Sequence, residues 1–153
     1  MGSQNDAPVM KGAVDLLKEL GISVEMTVAS AHRSPDRVER LIAEAATRGV
    51  AVFIIGAGAA AHLAGVVAAR VTKPVIGVPI DSSALNGLDA LLSTVQMPPG
   101  VPVATVSIGK AGAVNAGVLA AQILALGDKT IAAKLEQYKR TLAEKVEEAA
   151  KTL

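Results

Sequence analysis

The chain has 153 residues, fifteen Lys or Arg against fourteen Asp or Glu, no Cys, no Trp, one Phe and one Tyr, so a single domain must build its core from Ala, Val, Ile and Leu. The absence of cysteine excludes disulfides, thiolate catalysis and cysteine-ligated metals, and a net charge of +1 without a basic cluster points to neither nucleic acid nor an anionic membrane surface. No apolar run reaches the ~18 residues of a transmembrane helix and the start has no signal-peptide pattern, so a cytoplasmic protein is expected. Hydrophobic residues make up 51% and charged ones 19%, a ratio that calls for a large subunit interface.

The first predicted element is a helix in "APVMKGAVDLLKELG", with Pro8 suited to its first turn and Gly21 to its C-cap. "ISVEMTV" alternates Ile22, Val24, Met26 and Val28 as a strand does. A second helix takes Ser34 as N-cap and Pro35 as first residue, and Gly49 closes it. The run "VAVFIIG" (50–56) is apolar throughout, as in a parallel strand covered on both faces. A short helix over 62–70, a strand over 74–80, a helix over 88–95, a strand over 103–108 and a helix over 111–126 follow. This βαβα rhythm predicts an α/β doubly wound parallel sheet with right-handed crossovers. "MGSQND" enters the first helix directly, so the strand expected ahead of it is missing or truncated. The segment 128–153 differs in kind: Ile131, Leu135, Tyr138, Leu142, Val146 and Ala149 form one apolar stripe opposite a charged face. It reads as a long amphipathic helix docked either on its own domain or on a neighbour.

In a parallel sheet the loops after successive strands converge at one edge. The loops 2–6, 29–35, 56–65 and 81–88 would bring Ser3, Asp6, Ser30, His32, Arg33 and His62 together there. The small residues from Gly56 to Ala61 would let backbone amides approach a ligand, and a following helix N-terminus favours an anion. Each residue also has a purely structural reading. Arg33 could be a solvated surface residue, His62 could satisfy backbone groups, and Asp6 or Asn5 could cap the first helix. Ser82 and Ser83 read as turn residues, Lys110 and Asn115 as capping residues. "GAGAAA" fits G-x-G-x-x-A, with Asp81 about 25 residues on, but the dinucleotide motif normally opens the first βα unit. No G-x-S-x-G, H-E-x-x-H or P-loop occurs, and two histidines far apart give no metal-ligand spacing.

The stretches "GSQND", "SAHRSPDR", "GAGAAAHLAG" and "GVPIDSSALNGLDALLSTVQMPPGVPVATVSIGKAGAVNAGVLAAQIL" resemble the class I N5-carboxyaminoimidazole ribonucleotide mutases, the PurE type of de novo purine synthesis, from Met1 to Leu126. The resemblance implies a three-layer α/β/α, flavodoxin-like fold and a homo-octamer with active sites between subunits. It divides the chain into an α/β mutase core, 1–127, and a C-terminal helix, 128–153, packing on a neighbouring subunit. It also implies an isomerase that moves a carboxylate from the exocyclic nitrogen to the ring carbon of its ribonucleotide without ATP, metal or organic cofactor, through trapped CO2. His32 would then be catalytic, since an imidazole, with an ordinary pKa near ~6.5, can both give and take a proton. Ser3, Asp6, Ser30 and Arg33 match positions that hold phosphate and ribose. Gly58, Ala59, Ala61, His62 and Leu63 match the loop that contacts the base and retains CO2.

Three positions depart from the family pattern. Asn5 replaces the second serine of G-S-x-S-D, Ala59 replaces a glycine, and Ala64 replaces a proline. Alanine at 59 is harmless where φ is negative and otherwise costs about 1 kcal/mol or more. Three other readings stay open: a class II carboxylase using free CO2, a non-catalytic nucleotide-binding or assembly relative, and, more remotely, a dinucleotide-dependent oxidoreductase.

Overall fold

In the computed structural model, which describes residues 1–152, a 3-10 turn over Gln4–Asp6 runs into α1 (Ala7–Glu19). Pro8 stands in the first turn of α1, where no intrahelical bond needs its N–H. α2 (Pro35–Thr47) starts in the same way on Pro35. Gly21 and Gly49 follow these helices at φ +76° and +72°, left-handed values that reverse the chain without a Cβ clash. Then come β1 (Phe53–Gly58), α3 (Leu63–Ala68), β2 (Val75–Ile80), α4 (Leu88–Val95), β3 (Ala104–Thr105), α5 (Gly109–Ala125) and α6 (Lys129–Ala150). Leu153, the last residue of the expected C-terminal segment, lies outside the described residues.

The sheet is parallel in the order β1-β2-β3, with Phe53 opposite Val75 and Gly58 opposite Ile80. Every residue of β2 is buried, as expected of a strand covered on both faces. Ile76, Val78 and Ile80 pack with Met10, Ala13 and Leu17 of α1 and Ala113, Ala116 and Ala120 of α5. Val75 packs with Val38 of α2, Leu63 and Val67 of α3 and Ala90 of α4. Alternation along the strand thus feeds two helical layers, giving the three-layer flavodoxin-like architecture.

Two predicted strands come out differently. Ile22–Val28 is extended but belongs to no strand. Its alternation is real, but a ladder needs a neighbouring strand: Ile22 N–H donates to the Leu17 carbonyl (2.8 Å), Arg37 Nε donates to the Val28 carbonyl (2.8 Å), and Met1 supplies the ladder-like pairing. The Met1 amine donates to the Thr27 carbonyl (3.0 Å) and Ala29 N–H donates to the Met1 carbonyl (2.9 Å). The strand expected over 103–108 shrinks to Ala104–Thr105. Pro102 offers no N–H to a ladder, and beyond Thr105 the pairing continues through Val106 N–H to the Gly77 carbonyl (3.0 Å). No strand precedes α1 among the described residues. The capping assignments also shift. Ser34 is the N-cap of α2 by position, but its hydroxyl turns back to the Ser30 carbonyl (3.2 Å). α5 starts after Ile108 with no side-chain cap, so neither Lys110 nor Asn115 serves as one.

The Asp128 carboxylate caps α6, accepting from the Thr130 and Ile131 N–H groups (2.8 and 3.3 Å). Ile131, Leu135 and Tyr138 pack on Leu16, Leu20 and Ala121, while Lys134 donates to the Leu20 carbonyl (2.8 Å). Farther along the same stripe Leu142 and Val146 are exposed by 45% and 68%. Half of the helix therefore docks on its own domain and half stands clear. Among the described residues no helix is long and apolar enough to cross a membrane.

Candidate functional site

The loops at the carboxyl edge of the sheet line one polar cavity open to solvent, about 530 Å³ with its mouth included. The first loop is braced by a reciprocal pair. Asn5 N–H donates to the Ser3 hydroxyl (3.2 Å), and Ser3 N–H donates to the Asp6 carboxylate (2.9 Å). The Asp6 carboxylate is therefore turned back toward Ser3 and away from the start of α1, for which it makes no cap bond. It is 5% exposed. Burial pushes its carboxyl above the usual 3.8, opposed by the Ser3 N–H, the Met1 ammonium and the Arg33 guanidinium. The folded chain thus binds this proton more readily than the unfolded chain. The resulting stability is present at low pH and is lost as pH rises through the window between 3.8 and the raised folded value. Asp6→Asn removes this dependence, so the stability of the variant relative to the parent is expected to increase with pH across that window, read from urea midpoints.

The second loop folds on itself. Arg33 N–H donates to the Ser30 hydroxyl (3.1 Å) and Ser34 N–H to the Ser30 carbonyl (2.9 Å). Arg33 then reaches across to donate from Nη2 to the Gly2 carbonyl (3.3 Å). Beside it, His32 Nε2 lies 2.9 Å from His62 Nδ1, with the rings edge to face at 87° and centroids 5.0 Å apart. One of these nitrogens donates and the other accepts, so one proton occupies this axis when both rings are neutral. His62 sits at the N-cap position of α3 without a side-chain cap bond; its ring serves His32 instead of the backbone.

Ser3, Asp6, Ser30, His32, Arg33, Gly58, His62 and Leu63 all line the cavity, joined by Gly2, Ala31, Ala57, Ala60 and Ser82. Two expected residues do not line it. Ala61 is 1% exposed and belongs to the core below the loop, and Ala59 stands exposed at the loop's tip. Ser82, read from sequence as a turn residue, lines the cavity directly against Gly58; a Cβ on Gly58 would run into its side chain. The available signal was position alone, because Ser82 follows a predicted strand just as His32 does. Asp81, the acid of the dinucleotide reading, stands beside Gly87 and Gly109 and not on this cavity. No group of three or more metal-ligating side chains occurs among the described residues.

Ala59 has φ +53°, so the condition under which alanine would be harmless fails. A left-handed backbone costs an L-residue about 1–2 kcal/mol, and glycine largely escapes that cost. Ala59→Gly is expected to stabilise the chain by about 1 kcal/mol, less what the added freedom of the unfolded chain takes back. A chemical-denaturation midpoint that did not move would mean the loop relaxes around the alanine.

Fold and site together define a flavodoxin-like α/β protein with one polar cavity at the carboxyl edge of its sheet, built around a histidine pair and an arginine. The chain belongs to the AIR carboxylase family, whose sequence profile matches residues 1–145. It is 55% identical over 153 residues to the N5-carboxyaminoimidazole ribonucleotide mutase of Bacillus subtilis, covering 100% of this chain and 94% of that protein. The mutase of Thermotoga maritima is 53% identical, with coverage of 100% and 88%. Among solved structures, Treponema denticola PurE matches with a TM-score of 0.88 and 30% identity, covering 100% of this chain and 94% of that one.

Proposed function

We infer that the protein converts N5-carboxyaminoimidazole ribonucleotide to 4-carboxy-5-aminoimidazole ribonucleotide in purine biosynthesis, as an isomerase. The observation that carries this reading is the 2.9 Å contact between His32 and His62 inside the cavity that also holds Arg33. Relatives named for this reaction, 50–55% identical along nearly the whole chain, support it.

The chemistry follows from the residues. Ser3, Ser30 and Arg33 hold the phosphate and ribose; the guanidinium already bridges two loops and offers a charge-assisted fork to phosphate. Asp6, buried beside them, accepts a ribose hydroxyl. The bond between the exocyclic nitrogen and its carboxylate breaks, CO2 is released, and His32 gives the nitrogen its proton. The ring carbon then attacks CO2, and the proton lost from that carbon returns to His32. His62 holds the other end of the His32 axis and fixes which nitrogen faces the substrate. Gly58, Ala60 and Leu63 leave room for the base and close the walls around CO2. Ala59 and Ala61 act through the shape of the loop rather than by contact.

The protein works as a homo-oligomer, an octamer by family likeness, in the cytoplasm. Leu88, Leu92 and Val95 form an exposed apolar row along α4, and Leu142 and Val146 extend the apolar face of α6. Light scattering is expected to give a mass several times 15.4 kDa, and a monomer would overturn the assembly.

The deciding assay is free of metal and ATP and starts from substrate carrying a labelled carboxylate. Label retained in the C-carboxylated product in the presence of unlabelled bicarbonate establishes the mutase. Label lost to exchange identifies a carboxylase working with free CO2, and no enzyme-dependent product identifies a non-catalytic relative.

A further inference from the structure

The chain contains three asparagines, Asn5, Asn86 and Asn115, and only Asn86 is followed by glycine. The difference matters because an asparagine side chain can be lost to the backbone beside it. The nitrogen of the next residue attacks Cγ, and its approach is least hindered where that residue has no side chain. The sites also differ in how the next N–H is engaged. After Asn5, the Asp6 N–H donates to the Ser3 carbonyl (3.2 Å). Asn115 stands inside α5, where the N–H of the buried Ala116 belongs to the helical ladder. After Asn86, the Gly87 N–H donates to no group among the described residues.

The loop 81–88 pairs the amides around this one and leaves it free. Leu85 N–H donates to the Ser83 hydroxyl (3.2 Å), Asn86 N–H to the Ser83 carbonyl (3.2 Å) and Leu88 N–H to the Leu85 carbonyl (3.0 Å). The Ser83 hydroxyl in turn donates to the Asp89 carboxylate (2.7 Å), which ties the turn to the start of α4. These bonds carry the chain through two successive left-handed residues, Asn86 at φ +51° and Gly87 at φ +84°. Asn86 is exposed, and its side-chain amide makes no hydrogen bond among the described residues. Attack on Cγ therefore sacrifices no protein hydrogen bond at either group, and water reaches the product.

We propose that Asn86 is a site of spontaneous deamidation, closed by the Gly87 nitrogen and leaving isoaspartate and aspartate at the entrance to α4. The Gly87 nitrogen loses its proton to hydroxide and bonds to Asn86 Cγ. The Cγ–Nδ2 bond breaks, and Nδ2 takes a proton from water and leaves as ammonia, so a succinimide ring joins the two residues. Water then opens the ring at one of its carbonyls. Attack at Cγ restores the ordinary backbone with aspartate; attack at the main-chain carbonyl leaves the chain running through Cγ as isoaspartate. Either product adds a negative charge to a segment that already holds Asp81 and Asp89. Isoaspartate also inserts a methylene into the main chain, directly ahead of a residue with little room to shift. A Cβ on Gly87 would strike the Ile108 side chain and lie 3.3 Å from Asp81 Cα.

The test ages the purified full chain at mildly acidic and mildly alkaline pH and follows its peptides by mass spectrometry, a readout independent of catalysis. The peptide holding Asn86 is expected to gain about one dalton. It should do so about tenfold or more faster than those holding Asn5 and Asn115, whose following amides must first open. The gain should be faster at alkaline pH, since hydroxide generates the attacking nitrogen, and fragmentation should find isoaspartate beside aspartate at position 86. Asn86→Gly suits a left-handed φ and has no amide to lose, so its peptide should keep a constant mass. An unchanged mass in the folded chain, under conditions where the urea-unfolded chain deamidates, would overturn the proposal. Equal rates at all three asparagines would remove the role of the free Gly87 amide, and aspartate without isoaspartate would remove the ring; either result also overturns it.

Discussion

His32→Asn is expected to lower kcat by about 10²–10⁴ while leaving Tm within about a degree of the parent. The stability half of this expectation rests on placement: His32 is exposed in the loop after Ala29 and contributes little to the core. The activity half rests on chemistry. An asparagine amide reaches only about as far as imidazole Nδ1, so the 2.9 Å contact made by His32 Nε2 is lost, at little cost to the fold because both rings are exposed. Its amide cannot give and regain a proton near neutral pH. KM should change far less than kcat, because the phosphate and ribose contacts come from Ser3, Ser30 and Arg33. Steady-state kinetics beside a thermal melt separate the outcomes. Full activity in a folded variant would move the proton-transfer role to another group, with His62 the first alternative.

Gly58→Ala carries the second-largest effect, and here the cause is space. Gly58 has no positive φ, so alanine is conformationally acceptable. Its Cβ would nevertheless collide with the Ser82 side chain and sit 3.1 Å from the Ile80 carbonyl oxygen. Gly58 ends β1 in register with Ile80, so neither backbone can retreat without opening the last pair of the ladder. The expected cost is about 1–3 kcal/mol of stability, with a larger loss in kcat/KM because the methyl group also fills the cavity floor. Ser82→Gly in the same chain removes the main obstruction. The double variant is therefore expected to recover much of the stability, a coupling that a double-mutant cycle reads directly. Additive effects would mean that the Ile80 carbonyl, and not Ser82, sets the limit.

His32, Arg33 and Ser30 were legible as site candidates because a short polar cluster follows a β-branched run at a predicted strand end. Gly21 and Gly49 are legible as helix stops for an equally local reason, because a glycine after a helical run can take the left-handed φ that both adopt. The contact between His32 and His62 was not, since it spans two loops and depends on how far apart the sheet sets them. Ser82 was hidden in the same way. Nothing local distinguishes a turn serine from one packed against Gly58 on the cavity wall. Asp6 is legible as a helix-start residue, but its burial is set by the fold and not by its neighbours in sequence.

What this sequence determines by itself is the alternation of elements, the faces they bury and the edge where polar loops collect, because those depend on side-chain period and on residues that start or stop helices. Only the tertiary structure decides which N–H meets which carbonyl, and that leaves Ile22–Val28 without a strand's partners despite its regular alternation. It also decides that Ala59 takes φ +53° and that His62 meets His32. Periodicity records which side of a segment prefers the core. Pairing and strain depend on groups that the chain brings in from elsewhere.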